Sequence, residues 1–122
     1  MKRSTMPTVR VPANIRQIAQ RAIDQNLSLP VSKRAAWVKD GEKKAGMGMR
    51  TARRLVSGEV DLQQLITMRA WFARHGASEE ETKKRKDKTS KASIAWRLWG
   101  GTPAISWVNG SIRKLEKQKK KD

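Results

Sequence analysis

Cysteine is absent from the 122 residues, which excludes disulfides and thiolate metal sites. Tyrosine is also absent, and phenylalanine and histidine occur once each. A single imidazole, His75, with no cysteine and no nearby carboxylate pair makes no zinc-type site, so neither metal nor cofactor is expected. No apolar run approaches the roughly eighteen residues of a membrane span. The opening MKRSTMPTVR leads into polar sequence, so no secretory signal is expected either. Gly46-Met47-Gly48 is not followed by Gly-Lys-Ser/Thr, which rules out a Walker-type phosphate loop. The carboxylates fall in local groups (Asp40 with Glu42, Glu59 with Asp61, Glu79-Glu80-Glu81) where helix capping explains them. A metal-dependent nuclease needs carboxylates that converge on a cation, and this spacing suggests none. A non-enzymatic protein is expected.

Acidic residues are scarce: 11 Asp+Glu stand against 28 Lys+Arg, for a net charge of +17 and a pI near 11.2. Residues 1–61 hold 13 basic and 5 acidic side chains and residues 62–122 hold 15 and 6, so the halves carry +8 and +9. The excess is therefore not confined to a tail. A folded domain so charged repels itself unless a polyanion neutralises it, and nucleic acid is the commonest such partner. An acidic protein surface satisfies the same need. With 37% apolar residues the chain supports one modest core.

The periodicity is helical throughout, and no alternating strand pattern stands out. Residues 1–11 carry Lys2, Arg3 and Arg10 without period and read as a flexible basic arm. Ile15, Ile18, Ala19, Ala22 and Ile23 form the stripe of a first helix that ends around Asn26–Pro30. Ser32 reads as the N-cap of a second helix through Ala35, Ala36, Trp37 and Val38, stopped by the glycines at 46 and 48. Arg50–Ser57 reads as a third helix with Gly58 after its end. Asp61 caps the strongest helix, LQQLITMRAWFARH, which stops at Gly76. Ser78 and Glu81 make a capping-box pair. The lysine-rich stretch 83–91 follows, as a loop or frayed helix.

Ser93–Trp107, SIAWRLWGGTPAISW, holds three of the five tryptophans. Gly100-Gly101 ends one helix, and Thr102 as N-cap with Pro103 in the first turn begins another. Trp96, Leu98, Trp99, Ile94, Ile105, Trp107 and Phe72 form the expected core around this corner. Trp96 and Trp99 lie three apart on one helix, a spacing that favours core over a base-stacking platform. The fold class is then all-α: one domain over residues 12–115, built from five to six short helices with a helix–turn–helix-like corner. Residues 116–122 form a basic tail.

Two kinds of basic group are candidates for nucleic acid. Arg50, Arg53 and Arg54 follow a glycine turn, and the segment from Ala36 to Glu59 has the outline of a DNA-binding helix-turn-helix. In that reading Met49 and Thr51 join the arginines as readers. Lys83, Lys84, Arg85, Lys86, Lys88 and Lys91, with Lys117, Lys119, Lys120 and Lys121 of the tail, supply phosphate contacts that carry no sequence preference. Duplex DNA is the expected partner, and no membrane is.

Phe72-Ala73-Arg74-His75, Ile94-Ala95-Trp96, Leu98-Trp99-Gly100-Gly101 and Trp107 together resemble a signature of small proteins of tailed bacteriophages and prophages. Thr51–Gly58 is similar to the basic helix that precedes it in that family. The lysine-rich run replaces a glycine- and proline-containing loop found there. The resemblance implies a phage setting, in the host cytoplasm or the virion, and carries no catalytic residues. It leaves three roles: a DNA-binding protein, a virion or assembly component facing packaged DNA or an acidic capsid or portal surface, and a small inhibitor of a host nucleic-acid-processing or defence protein.

Overall fold

The computed structural model describes residues 7–38 and 44–121, the side chains at 37, 38, 44, 45 and 119–121 excepted. The fold is all-α. Among the described residues, six α-helices surround one core: α1 (Ala13–Ser28), α2 (Met47–Ser57), α3 (Leu62–Gly76), α4 (Glu79–Arg85), α5 (Lys91–Leu98) and α6 (Thr102–Lys121). Two small antiparallel pairs join them. Strand β1 (Thr8–Arg10) pairs with β4 (Glu59–Asp61), and β2 (Trp37–Val38) pairs with β3 (Lys44–Ala45).

Helix α1 packs on α2 and α5, while α3 packs on α6. The α1 stripe buries Ile15, Ala19, Ala22 and Ile23, and Ile18 is half-buried. Asn26, at the end of that stripe, is fully buried. Its side-chain amide donates to the Ala35 carbonyl and accepts from the Ala35 N–H, both at 2.9 Å, and its Nδ2 also contacts Met49 Sδ at 3.3 Å. One side chain thus gives the segment after α1 the pairing that a strand partner would have given.

This changes the expected second helix. Val31–Lys33 makes a single 3-10 turn, Arg34 is extended, and the backbone bends at Ala35 and Ala36 before β2. Ala36 adopts φ 50°, and its carbonyl accepts from Gly46 N–H at 2.6 Å. Asn26 holds Ala35 in place, and a positive φ at Ala36 is incompatible with helix continuation. The first helix of the supposed helix-turn-helix is therefore a β-hairpin. Asp40-Gly41 lies outside the described residues. Helix α2 starts at Met47, before the expected Arg50, because Gly46 serves as its N-cap position instead of stopping a helix.

Part of the expected arm is a strand. Val9 is half-buried and Val11 is 1% exposed, so alternate side chains face the core and Thr8–Arg10 joins the sheet. Residues 1–6 lie outside the described residues. The tail is likewise the final part of α6, which Leu115 anchors in the core. The lysine-rich stretch divides between helix and turn: α4 runs to Arg85, and the turn that follows closes on Asp87 Oδ1, which accepts from the N–H and hydroxyl of Thr89 at 2.9 and 2.7 Å. Those two bonds, the hydroxyl first, hold the Asp87 carboxyl below its usual pKa. Ser90 then caps α5 by accepting from Ser93 N–H at 3.1 Å.

At the corner, Gly101 N–H reaches back to the Trp96 carbonyl and Gly100 N–H to the Arg97 carbonyl, both at 3.0 Å, which is a Schellman closure. Gly100 has φ 106°, a conformation nearly closed to any residue with a Cβ. Thr102 does not cap α6. It lies inside the helix, and its hydroxyl accepts the Trp96 indole N–H at 3.1 Å instead. Ile94, Leu98, Trp99 and Phe72 are buried, as the spacing implies. Trp96, Ile105 and Trp107 are only partly buried and pack against that core from its edge.

Candidate nucleic-acid interface

Asp61 caps α3 by accepting from Gln64 N–H at 2.8 Å. Between these helices and β1 lies an open groove of about 670 Å³. Arg50, Arg54, Gln63 and Thr67 line it, together with the carboxylates Glu59 and Asp61. Arg54 Nη1 is committed to Gln64 Oε1 at 2.5 Å, and Gln64 in turn approaches Thr51 Oγ1 at 3.5 Å. Arg50 and Arg53 stand exposed. Met49 and Thr51 do not read anything from here: they are 0% and 1% exposed, because the α2 stripe turns them into the core.

A second groove, of about 340 Å³, runs between the start of α2, the end of α3 and the α4–α5 pair. It continues into a shallower one of about 450 Å³, with which it shares Ala36, Glu81, Ala92 and Ala95. Arg74 and Arg85 line the first part, and Arg34, Lys84 and Lys91 the second. Of the expected phosphate contacts, this surface gathers Lys84, Arg85 and Lys91. Lys83, Lys86, Lys88 and Lys117 are exposed but line none of these grooves. The side chains of Lys119, Lys120 and Lys121 lie outside the described residues.

The aromatic wall of the second groove is already paired. Trp71 stacks on Trp99 at 4.6 Å with 9° between planes, and His75 lies 4.4 Å from it. The Arg85 guanidinium sits 4.0 Å over the Trp96 ring. With these neighbours on their rings, the indoles are poor platforms for unpaired bases. Arg85 is held there by donating to the His75 carbonyl at 3.3 Å and to Thr82 Oγ1 at 2.8 Å. Glu81, half of the expected capping box, donates its backbone N–H to Ser78 Oγ but turns its carboxylate to His75 Nδ1, at 2.8 and 3.0 Å.

Four carboxylates elsewhere are spent in the same local way. Asp24 accepts from Gln20, Glu59 from Thr8, and Asp87 from Thr89, while Glu80 pairs with Lys84 at 3.1 Å. Arg97 is used structurally. It donates to Gln25 Oε1 at 2.6 Å and to the Lys88 carbonyl at 2.7 Å, tying the lysine-rich turn to α1, and partial burial lowers its pKa. No group of three or more His, Asp or Glu positioned to hold a metal occurs among the described residues, and no described helix is long and apolar enough to cross a membrane.

Arg34, Arg74 and Trp71 belong to this surface and were not singled out as binding residues by the sequence. Arg74 carried the one available signal, a cation in the last turn of α3, where the helix dipole alone accounts for it. Compared with protein-family models, curated proteins and solved structures, the chain matches none.

Proposed function

We propose that this protein is a non-enzymatic nucleic-acid-binding protein that engages duplex DNA through its phosphates. One observation carries the reading. The described carboxylates are mostly consumed by caps, turns and neighbours, whereas exposed cations such as Arg50, Arg53, Arg74, Lys83 and Lys88 face outward, so the +17 excess is left for an external polyanion. A β-hairpin where a helix-turn-helix needs its first helix, and buried side chains at Met49 and Thr51, favour backbone contact over base readout. The phage setting, and residence in the host cytoplasm or the virion, belong to the same proposal and rest on the signature around Trp96–Gly101.

The test is a salt titration. Binding to a mixed-sequence duplex should weaken steeply, with a slope of log K against log salt of about −0.9 for each of several phosphate contacts. A flat slope, or no binding at about 50 mM salt, refutes it. A stoichiometric complex with one acidic protein would then account for the charge.

A further inference from the structure

The start of α2 has no side-chain cap. Gly46 in the N-cap position offers no side chain, the first turn has no acidic residue, and the N–H groups of Met47, Gly48 and Met49 find no partner among the described residues. Such groups are normally satisfied by a cap or by water. Gly46, Gly48 and Met49 are themselves buried, while Met47 is 59% exposed and lines the second groove with Gly48.

A separate donor lies beside them. Trp99 is 2% exposed, and its indole N–H has no hydrogen-bond partner among the described residues. It is not sealed in, since the one side-chain nitrogen both buried and unpartnered among the described residues is Arg97 Nε. Trp99 Nε1 therefore opens on the groove it lines with Met47 and Gly48. A Cβ on Gly48 would stand 3.3 Å from that nitrogen and 2.8 Å from Ala36 Cβ, so glycine is what keeps this donor uncovered. Exposed Arg74 adds positive charge on the same wall, and the carboxylate there, Glu81, is already bound to His75.

Among the described residues, donors and positive charge meet at this point, and the one carboxylate lining the groove is engaged. We propose that it is a phosphate site, in which the N-terminus of α2 and the Trp99 indole N–H hold the oxygens of one phosphate group and Arg74 supplies the counter-charge. The proposal rests on the phosphate-binding reading above and gives it a fixed anchor, distinct from the exposed lysines.

The test follows the five indole N–H signals by nitrogen–proton NMR on the full chain. Titration with inorganic phosphate should shift the Trp99 signal, identified by its loss in Trp99→Phe, together with the amides of Met47, Gly48 and Met49, in a saturable way. Trp99→Phe should weaken phosphate roughly tenfold, as expected for a hydrogen bond to a charged group. Arg74→Gln, at an exposed position that does not endanger the fold, should weaken it several-fold and gives the answer if Trp99→Phe fails to fold. Shifts confined to amides next to surface lysines, or unchanged phosphate affinity in Arg74→Gln and in folded Trp99→Phe, overturn the site. A duplex with a 5′-phosphate and the same duplex without one separate the sources. Response to both assigns internal phosphodiesters, response to the first alone a terminal phosphate, and response only to inorganic phosphate overturns the link to nucleic acid while leaving the site. Steep salt-dependent DNA binding with a silent Trp99 signal overturns the site and leaves the function reading intact.

Discussion

Gly58 and Gly100 offer a matched pair of substitutions. Their φ values are nearly equal, 105° and 106°, so an alanine at either position is forced to the same unfavourable φ. The penalty is about 1–2 kcal/mol for an L-residue forced into this region. Their surroundings differ. Nothing lies within 4 Å of a Cβ built on Gly58, whereas one on Gly100 would stand 2.8 Å from Ala104 Cβ and 3.1 Å from Ile15 Cγ2. Both neighbours are buried, at 0% and 1% exposure, so neither can swing aside. Overpacking of that kind adds about 1–3 kcal/mol. Gly58→Ala should therefore cost about 1–2 kcal/mol, and Gly100→Ala about 2–5 kcal/mol. Urea unfolding with linear extrapolation measures both, and an unchanged m-value shows that the same transition is being compared. A domain of this size has about 5–15 kcal/mol in hand, so even the worse variant remains measurable. Equal losses at the two positions would mean that the corner between α5 and α6 yields freely, and would refute the close packing assigned to it.

Two further outcomes follow. Asn26→Leu keeps the volume but strands the buried N–H and carbonyl of Ala35, and should cost about 2–4 kcal/mol in the same urea assay; a loss below about 1 kcal/mol would show that the amide does not hold that segment. Asp87 has its pKa lowered below 3.8 by Thr89, so the carboxylate stabilises the folded state above that pH and the contribution fades as pH falls through its folded value. The Tm advantage of the wild type over Asp87→Asn, measured from about pH 6 down to about pH 2, should accordingly shrink toward acid. An advantage that stays constant would place its origin outside that ionisation.

Legibility in the sequence followed locality. Asp61, Ser78 and Gly100-Gly101 act within three to five residues of where they stand, and the helix ends they imply are the ones observed. Segment 31–45 failed for the opposite reason. Ser32, Ala35 and Ala36 suit a helix, but Ala35 is claimed by Asn26 nine residues earlier and Gly46 folds back onto Ala36. Strands of two and three residues are also too short to show alternation, which hid the pairing of Thr8–Arg10 with Glu59–Asp61. The candidate site was least legible of all. Its donors come from the start of α2 and from Trp99, its charge from the end of α3, and no one stretch contains a motif. Trp99 was identifiable as core from its spacing, but only the packing reveals that its N–H remains uncovered.

The near-parallel stack of Trp71 on Trp99 joins α3 to the corner between α5 and α6, elements distant in the chain. Two indoles held face to face couple their electronic transitions, and that coupling disappears as soon as the rings part, even if every helix survives. The protein thus contains its own optical gauge of tertiary order, separate from the signal of its backbone. In a loosened state of the kind acid produces, with helices kept and packing lost, the indole signal would vanish while the helical one persisted. Such a chain would report from within whether it is folded or merely helical.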